Sequence, residues 1–530
     1  MKKRRKKLKK FAFHPITTFI LLILAVMVIS SVLSLLELQV TYSRINSSME
    51  LENVLVVVES LFNFDGFKFI ISEAAKNFVS FTPLSTLLIG LIGLSVAHAT
   101  GLIDTFIKRG TLGINNKTIT FVLIFIATIS SIINDVGYVI LIPLSALIFL
   151  ANGRNPLLGI TASFCGVAFG YGATLFAGST EINLVPITSQ AALLIDGTFH
   201  VEMLSNLIAI IISSIVVSIV GTLVVEEIIV KKIGKYRTTD EDVNSETKEI
   251  KLELVEMEEQ KRLEIETREK KGLKNAFIAF MVIILLFIYM IIPNLPGSGL
   301  LLDMNESAYI NQLFGENSYL QDGFTFLVSI LFLVTGIAYA LGAKTIKNDK
   351  ELIEKASVYL KDVGYLVVLV FFASQFIAVF KKTNIGTVIV ALIANLIKGI
   401  SFTGLPLIIT ILLLIAFCSF FVTTPSAKWS ILAPVVVPLM MQANLSPQFA
   451  QFIFRAGDSM TKGLTPLLAY FVIYLGYLNI YNTENEPITI KKALSFISPY
   501  CLIISITWIL IVALMYVIGL PIGPGVYPSL

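Results

Sequence analysis

Charge is what this sequence has least of. Only 14% of its 530 residues are Asp, Glu, Lys or Arg, whereas a soluble domain carries about 25%. Histidine and cysteine number three each. Cys165, Cys418 and Cys501 all lie inside apolar runs with no metal-ligand spacing. That excludes a zinc-ribbon or a disulfide framework, and the thiols read as small core or lipid-facing groups. No GxxxxGK[ST] loop appears, so the sequence does not support ATP-driven pumping by this chain. The apolar runs do not alternate in ten-residue segments, which excludes a membrane β-barrel.

What the chain has is hydrophobicity, at 55% of its residues. Many apolar runs reach about 20 residues, enough to cross about 30 Å of hydrocarbon. The chain is therefore read as an all-α polytopic membrane protein whose partner is the lipid bilayer. Eight of the forty Lys and Arg stand in the first ten residues, MKKRRKKLKK. The run from Ile16 to Leu36 is too long for a signal core and has no cleavage site after it. It is expected to be the first span, with residues 1–15 a basic cytoplasmic N-terminus in the cell (cytoplasmic or inner) membrane. The net charge of +4 mostly reflects this positive-inside pattern, so no nucleic-acid partner is expected.

The first membrane half is expected over 16–230 and the second over 275–530. Between them, 231–274 is more than half charged and reads as a solvated cytoplasmic helix. "NSSMELENVLVVVESLFNFDGF" reads as an outer amphipathic element. Full spans are expected near 16–36, 84–103, 157–178, 203–230, 275–293, 323–343, 358–380, 448–479 and 494–519. Two further segments, 118–151 and 405–441, are apolar arms joined by the short polar turns "NDVG" and "TTPSAKW". Arms this short predict re-entrant hairpins. The fold class is thus about nine transmembrane helices plus two opposed re-entrant helical hairpins. "TVIVALIANLI" finds no place, and Lys381 and Lys382 fall on the outer side, against the charge rule.

Shifted by 291 residues, the chain resembles itself. Pro143 meets Pro434, Pro156 meets Pro447, Gly166 meets Gly457 and Gly172 meets Gly463. The hairpins enter from opposite sides in this topology, so the repeats are inverted, as in many secondary transporters.

Ionisable groups inside spans are costly, which makes each a functional candidate. Asn134 and Asp135 stand at the first tip, where a carboxylate beside a half-helix end can hold Na⁺ or a proton; Asp135 can equally cap the second arm. At the second tip, Ser426, Lys428 and Trp429 offer a hydroxyl, an ammonium and an aryl face beside a helix N-terminus. A snorkelling lysine is the alternative for Lys428. Arg455 and Asp458, at i,i+3, can form an ion pair on one face. Pro466 breaks the helix that follows Asp458, and by the repeat Glu181 falls either at the counterpart of that break or at the outer surface. Asn134, Asp135, Glu181 and Asp458 are the ion-coupling candidates, with Na⁺ possible at Asn134, Asp135 and Asp458.

The blocks "SAKWSILAPVVVPLM" and "SPQFAQFIFRAGDSMTKGLTPLLAYF" resemble the signature of the AbgT family, the p-aminobenzoyl-glutamate transporters. "DVGYVILIPLSALIFLANGRNPLLGI" is similar to its first-hairpin block, and the likeness covers about 14–525. The resemblance implies a homodimer of nine spans and two hairpins, moving p-aminobenzoyl-glutamate or sulfonamides on an ion gradient. It implies functional positions at Ser426, Trp429, Pro447, Arg455, Asp458 and Pro466. Glu181 stands where the family has an aspartate, and Lys462 where a neutral polar residue is usual. Substrate contacts are expected from Ser426, Lys428, Trp429, Pro447, Arg455 and Pro466. No cofactor is expected beyond a coupling Na⁺ or H⁺. An ion-coupled dicarboxylate carrier is the alternative. A channel fits less well, because paired re-entrant hairpins in inverted repeats favour alternating access, and so does an aspartyl protease built on Asp135 and Asp458, because "RAGD" lacks the GxGD-type tip.

Overall fold

The computed structural model describes residues 13–133, 135–236, 253–315, 317–361 and 363–530. Asn134, most of the basic N-terminus and the middle of the charged linker lie outside the described residues.

The first half runs α1 (Pro15–Leu35), β1 (Gln39–Ile45), β2 (Leu51–Val57), α2 (Phe64–Val79), α3 (Thr82–Ala99), α4 (Asn116–Ile129), α5 (Val136–Ala151), α6 (Pro156–Gly170), α7 (Ser179–Ala192) and α8 (Leu207–Val224). The second half runs α9 (Glu253–Ile291), α10 (Tyr319–Ala343), α11 (Val363–Lys382), α12 (Ile385–Ile397), α13 (Gly404–Cys418), α14 (Pro425–Gln442), α15 (Pro447–Thr461), α16 (Phe471–Ile480) and α17 (Ile490–Ile518). Shorter helices join them. Among the described residues, eight helices are long and apolar enough to cross a membrane. Exposed large apolar side chains run along α1, α8, α9 and α17, as lipid contact requires.

Two expectations need correction, and two further segments are placed. The fold is mostly rather than wholly helical: part of the expected amphipathic element is the antiparallel hairpin β1–β2, paired from Gln39↔Val57 to Ile45↔Leu51. Its β-branched Val residues favour the pleated surface, and Arg44 and Glu52 close an ion pair across it at 2.6 Å. The spans expected at 157–178 and 448–479 are each broken. α6 ends at Gly170 and α7 begins at Ser179; α15 ends at Thr461 and α16 begins at Phe471. The end of the charged linker and the apolar segment after residue 274 form one helix, α9, unbroken from Glu253 to Ile291. The unplaced "TVIVALIANLI" is α12, with Val388, Ala391 and Ala394 buried; it packs on α14 and β1.

The 291-residue repeat is visible in the helix boundaries. Pro156 and Pro447 both open, and Gly170 and Thr461 both close, a 15-residue helix. Each opening proline follows a capping residue, Asn155 or Ser446, whose side chain accepts a backbone N–H. Gly166 and Gly457 do the same work in each copy. A Cβ on Gly166 would lie 2.6 Å from Ala127 of α4, and one on Gly457 would lie 2.9 Å from the Leu412 carbonyl of α13. Gly457→Val is therefore expected to cost about 1–3 kcal/mol through overpacking. Gly364→Val, on an open face, is the neutral control in thermal unfolding of the detergent-solubilised protein.

Candidate functional site

The two broken helices cross at their breaks. Gly172, just past α6, donates its N–H to Ser459 Oγ of α15 at 2.6 Å, and a Cβ there would meet the Arg455 carbonyl at 2.7 Å. Gly463, just past α15, packs on Phe169 of α6, with 2.8 Å left for a Cβ. Each break thus sits on the other helix, and neither position has room for a side chain.

Two ion pairs are buried beside this crossing. Lys428 Nζ, on the first turn of α14, is paired with Asp458 Oδ1 of α15. It also donates to Ser419 Oγ at 2.5 Å, and Ser419 Oγ donates to the same Asp458 oxygen at 3.0 Å. Lys428 is 0% exposed, so its ammonium does not snorkel to an interface. Arg455 Nη1 pairs with Glu181 Oε1 across the two repeats, and both residues are at most 2% exposed. Glu181 Oε2 accepts from the Gly178 N–H at 3.0 Å, capping α7. One expectation is corrected here: Arg455 and Asp458 do not pair with each other. The partners instead come from separate helices that converge at the breaks. Of the two places open to Glu181, it stands at the break and not at the outer surface.

Trp429, beside Lys428, is fully buried and packs on Phe454 at 4.5 Å between centroids. Its indole N–H donates to Thr188 Oγ1 at 2.9 Å, and Thr188 donates to Gln451 Oε1 at 2.6 Å. Lys462 is buried over the Tyr171 ring at 3.4 Å, an arrangement that stabilises an ammonium. Asp135 holds the N-cap position of α5, yet its side chain makes no capping bond, and its buried Oδ1 has no partner. The capping alternative is therefore not what the structure has. Asp135 lies in the electrostatic field of Lys462 and Asp458. No hydrogen bond joins it to Asp458 among the described residues, so the two carboxylates are not a protease dyad.

The remaining candidates stand apart. Ser426 is half-buried on the first turn of α14. Pro447 opens α15, roughly 16 Å along the helix from Asp458 at 1.5 Å per residue. Pro466 lies in the break between α15 and α16. Sequence reasoning missed Ser419, Thr188 and Gln451. Gln451 carried a signal, since it precedes Arg455 by one turn on the same face. Ser419 and Thr188 carried none beyond being polar in apolar runs.

The charges do not repeat, although the scaffold does. At the 291-residue offset Lys428 corresponds to Gly137 and Asp458 to Val167. These two also meet: a Cβ on Gly137 would lie 3.0 Å from Val167 Cγ2. Arg455 corresponds to Phe164, whose ring sits 6.2 Å from that of Phe471. Apolar groups make the same helix contacts in the first copy. The architecture by itself therefore does not require ions there, and a buried pair is weak evidence for stability in any case.

The model of the AbgT transporter family matches residues 7–530. The p-aminobenzoyl-glutamate transport protein of Escherichia coli (strain K12) is 30% identical over 518 residues, covering 98% of this chain and 94% of that one. Two solved structures are also similar. The YdaH transporter of Alcanivorax borkumensis has 25% identity and a TM-score of 0.47, covering 97% of this chain and all of that one. MtrF of Neisseria gonorrhoeae, described as one of a class of antimetabolite efflux pumps, has 30% identity and a TM-score of 0.47, covering 98% of each. The chain is a multi-pass membrane transporter rather than an enzyme, and it belongs to the AbgT family.

Proposed function

We propose that this protein is a secondary transporter, driven by a Na⁺ or H⁺ gradient, that carries p-aminobenzoyl-glutamate, sulfonamide-type aminoaryl compounds or both across the cell membrane. The substrate rests on the relative named for p-aminobenzoyl-glutamate transport. The coupling rests on one observation: ions stand where the other repeat manages with apolar groups. In this reading there are nine spans and two re-entrant hairpins, α4–α5 and α13–α14, entering from opposite faces with the N-terminus cytoplasmic. Two copies form the homodimer, and the exposed apolar length of α9 faces lipid or the second copy.

Charge balance supplies the mechanism. p-Aminobenzoyl-glutamate is a dianion with an aryl ring. Its carboxylates compete with Asp458 for Lys428 and with Glu181 for Arg455, while Trp429 offers the aryl face. Each protein acid that loses its cation would stand uncompensated in a medium of low dielectric, which is costly. A proton or Na⁺ reaching that acid removes the cost. Asp458 Oδ2, buried and without a hydrogen-bond partner, is the atom best placed to receive it. Binding of substrate and coupling cation thereby become mutually dependent, and motion at the crossed breaks exchanges access.

Purified protein in liposomes, given labelled p-aminobenzoyl-glutamate under separate Na⁺ and H⁺ gradients, is expected to show flux under one of them. Absence of flux under both would sink the substrate assignment. A dicarboxylate carrier is the second reading, favoured by the presence of two buried cations each matched to a carboxylate. Strong competition by succinate would select it.

A further inference from the structure

Lys381, which the charge rule left unexplained, lines a cavity of about 290 Å³ at the connector between α13 and α14. Thr423 and Thr424 of the connector, Asn384, Phe380 and Phe421 line it as well. Its volume is close to the lower end of the roughly 300–1,000 Å³ usual for small-molecule sites. The lining combines one cation, several uncharged polar groups and two aromatic rings.

The neighbouring lysine is already committed. Lys382 Nζ pairs with Glu59 at 2.8 Å. No acidic group lies within 4 Å of the Lys381 ammonium among the described residues. The segment that carries Lys381 is pinned to the β1–β2 hairpin. The Glu59 N–H donates to the Thr383 carbonyl at 3.1 Å, and Asn384 Nδ2 donates to the Val57 carbonyl at 3.2 Å. Lys381 is thus a free cation on a fixed support.

The opposite wall is the start of α14. Its N-cap, Thr424, makes no side-chain capping bond and itself lines the cavity, so the positive end of the helix lies at the cavity wall. Ala427 also lines the cavity, and the next residue is the buried Lys428. Along α14, the cavity lining is thus the immediate neighbour of the ion-paired Lys428.

We propose that this cavity is a vestibule subsite for an aryl carboxylate, with Lys381 holding the carboxylate and Phe380 and Phe421 flanking the ring. It loads the substrate's negative end before Lys428 and Arg455 exchange partners. The assignment rests on the substrate reading above.

The test measures equilibrium binding of p-aminobenzoyl-glutamate to the solubilised protein and its flux in liposomes. Sulfanilamide, which lacks a carboxylate, is the comparison substrate. Lys381→Gln is expected to weaken p-aminobenzoyl-glutamate binding and raise its KM about three- to fivefold, the range of an exposed charge pair. kcat and sulfanilamide flux stay at wild-type values. Lys381→Arg retains binding, and Lys382→Gln leaves it unchanged. If wild type binds and transports p-aminobenzoyl-glutamate and Lys381→Gln matches it, the subsite is overturned alone. Equal loss of both substrates together with a lower Tm would also overturn it, in favour of a structural role. If wild type neither binds nor moves either compound, the substrate reading itself falls and the subsite with it.

Discussion

Replacing Lys428 with Met is expected to abolish gradient-driven flux and to cost about 3–5 kcal/mol of stability, the usual penalty for stranding one partner of a buried pair. Asp458 would be left at 1% exposure with Ser419 as its remaining partner. The informative variant is the double replacement, Lys428→Met with Asp458→Leu. It makes the contact apolar, as Gly137 and Val167 already make it in the first repeat. Thermal unfolding is expected to return to near the wild-type value, because an apolar replacement of a buried pair is often neutral or stabilising. Flux is expected to stay absent. A double variant that transports like wild type would show the pair to be dispensable for coupling. One that stays as unstable as the single variant would show that the pair holds the helices together.

The second large effect is expected at the pair that crosses the repeats. Arg455→Leu leaves Glu181 buried and uncompensated, again costing about 3–5 kcal/mol. Glu181→Gln keeps the cap of α7, because an amide oxygen can still accept the Gly178 N–H, but it leaves the buried Arg455 guanidinium uncompensated. Its expected cost is therefore also about 3 kcal/mol. The expected functional change is larger than the structural one: substrate still exchanges across the membrane, but an imposed gradient no longer accumulates it. Comparing counterflow with gradient-driven uptake separates the two. Full accumulation by Glu181→Gln would remove Glu181 from the coupling role.

Much of the fold was legible because the bilayer allows few solutions. Runs of about 20 apolar residues must be helices there. The helix starts at Pro156 and Pro447 were readable from the proline and the capping residue before each. The exit of the chain from the helical pattern at β1–β2 was not. Its Val-rich segment is apolar enough for a membrane-surface helix, and only the pairing of Arg44 with Glu52 and of the strand backbones reveals a hairpin. A break near Pro466 was legible from the proline, and one near Glu181 from the repeat. Their bounds, after Thr461 and after Gly170, were not, because the close packing at Gly172 and Gly463 belongs to the tertiary structure.

The sequence by itself determined which residues carry charge inside the membrane. Ionisable groups in apolar runs stand out, because burying them is expensive and few exist. Lys428, Arg455 and Asp458 were named on that ground, and Glu181 through the repeat, with the outer surface as its alternative. Which acid meets which base was decided by the tertiary structure alone. Spacing along one helix proposed Arg455 with Asp458, at i,i+3. The crossing of two broken helices gave each of them a partner from another segment, Glu181 from the other repeat and Lys428 from the neighbouring arm. Coulomb attraction in a low-dielectric interior depends on distance in space, and that distance is fixed by where the glycines let the helices touch.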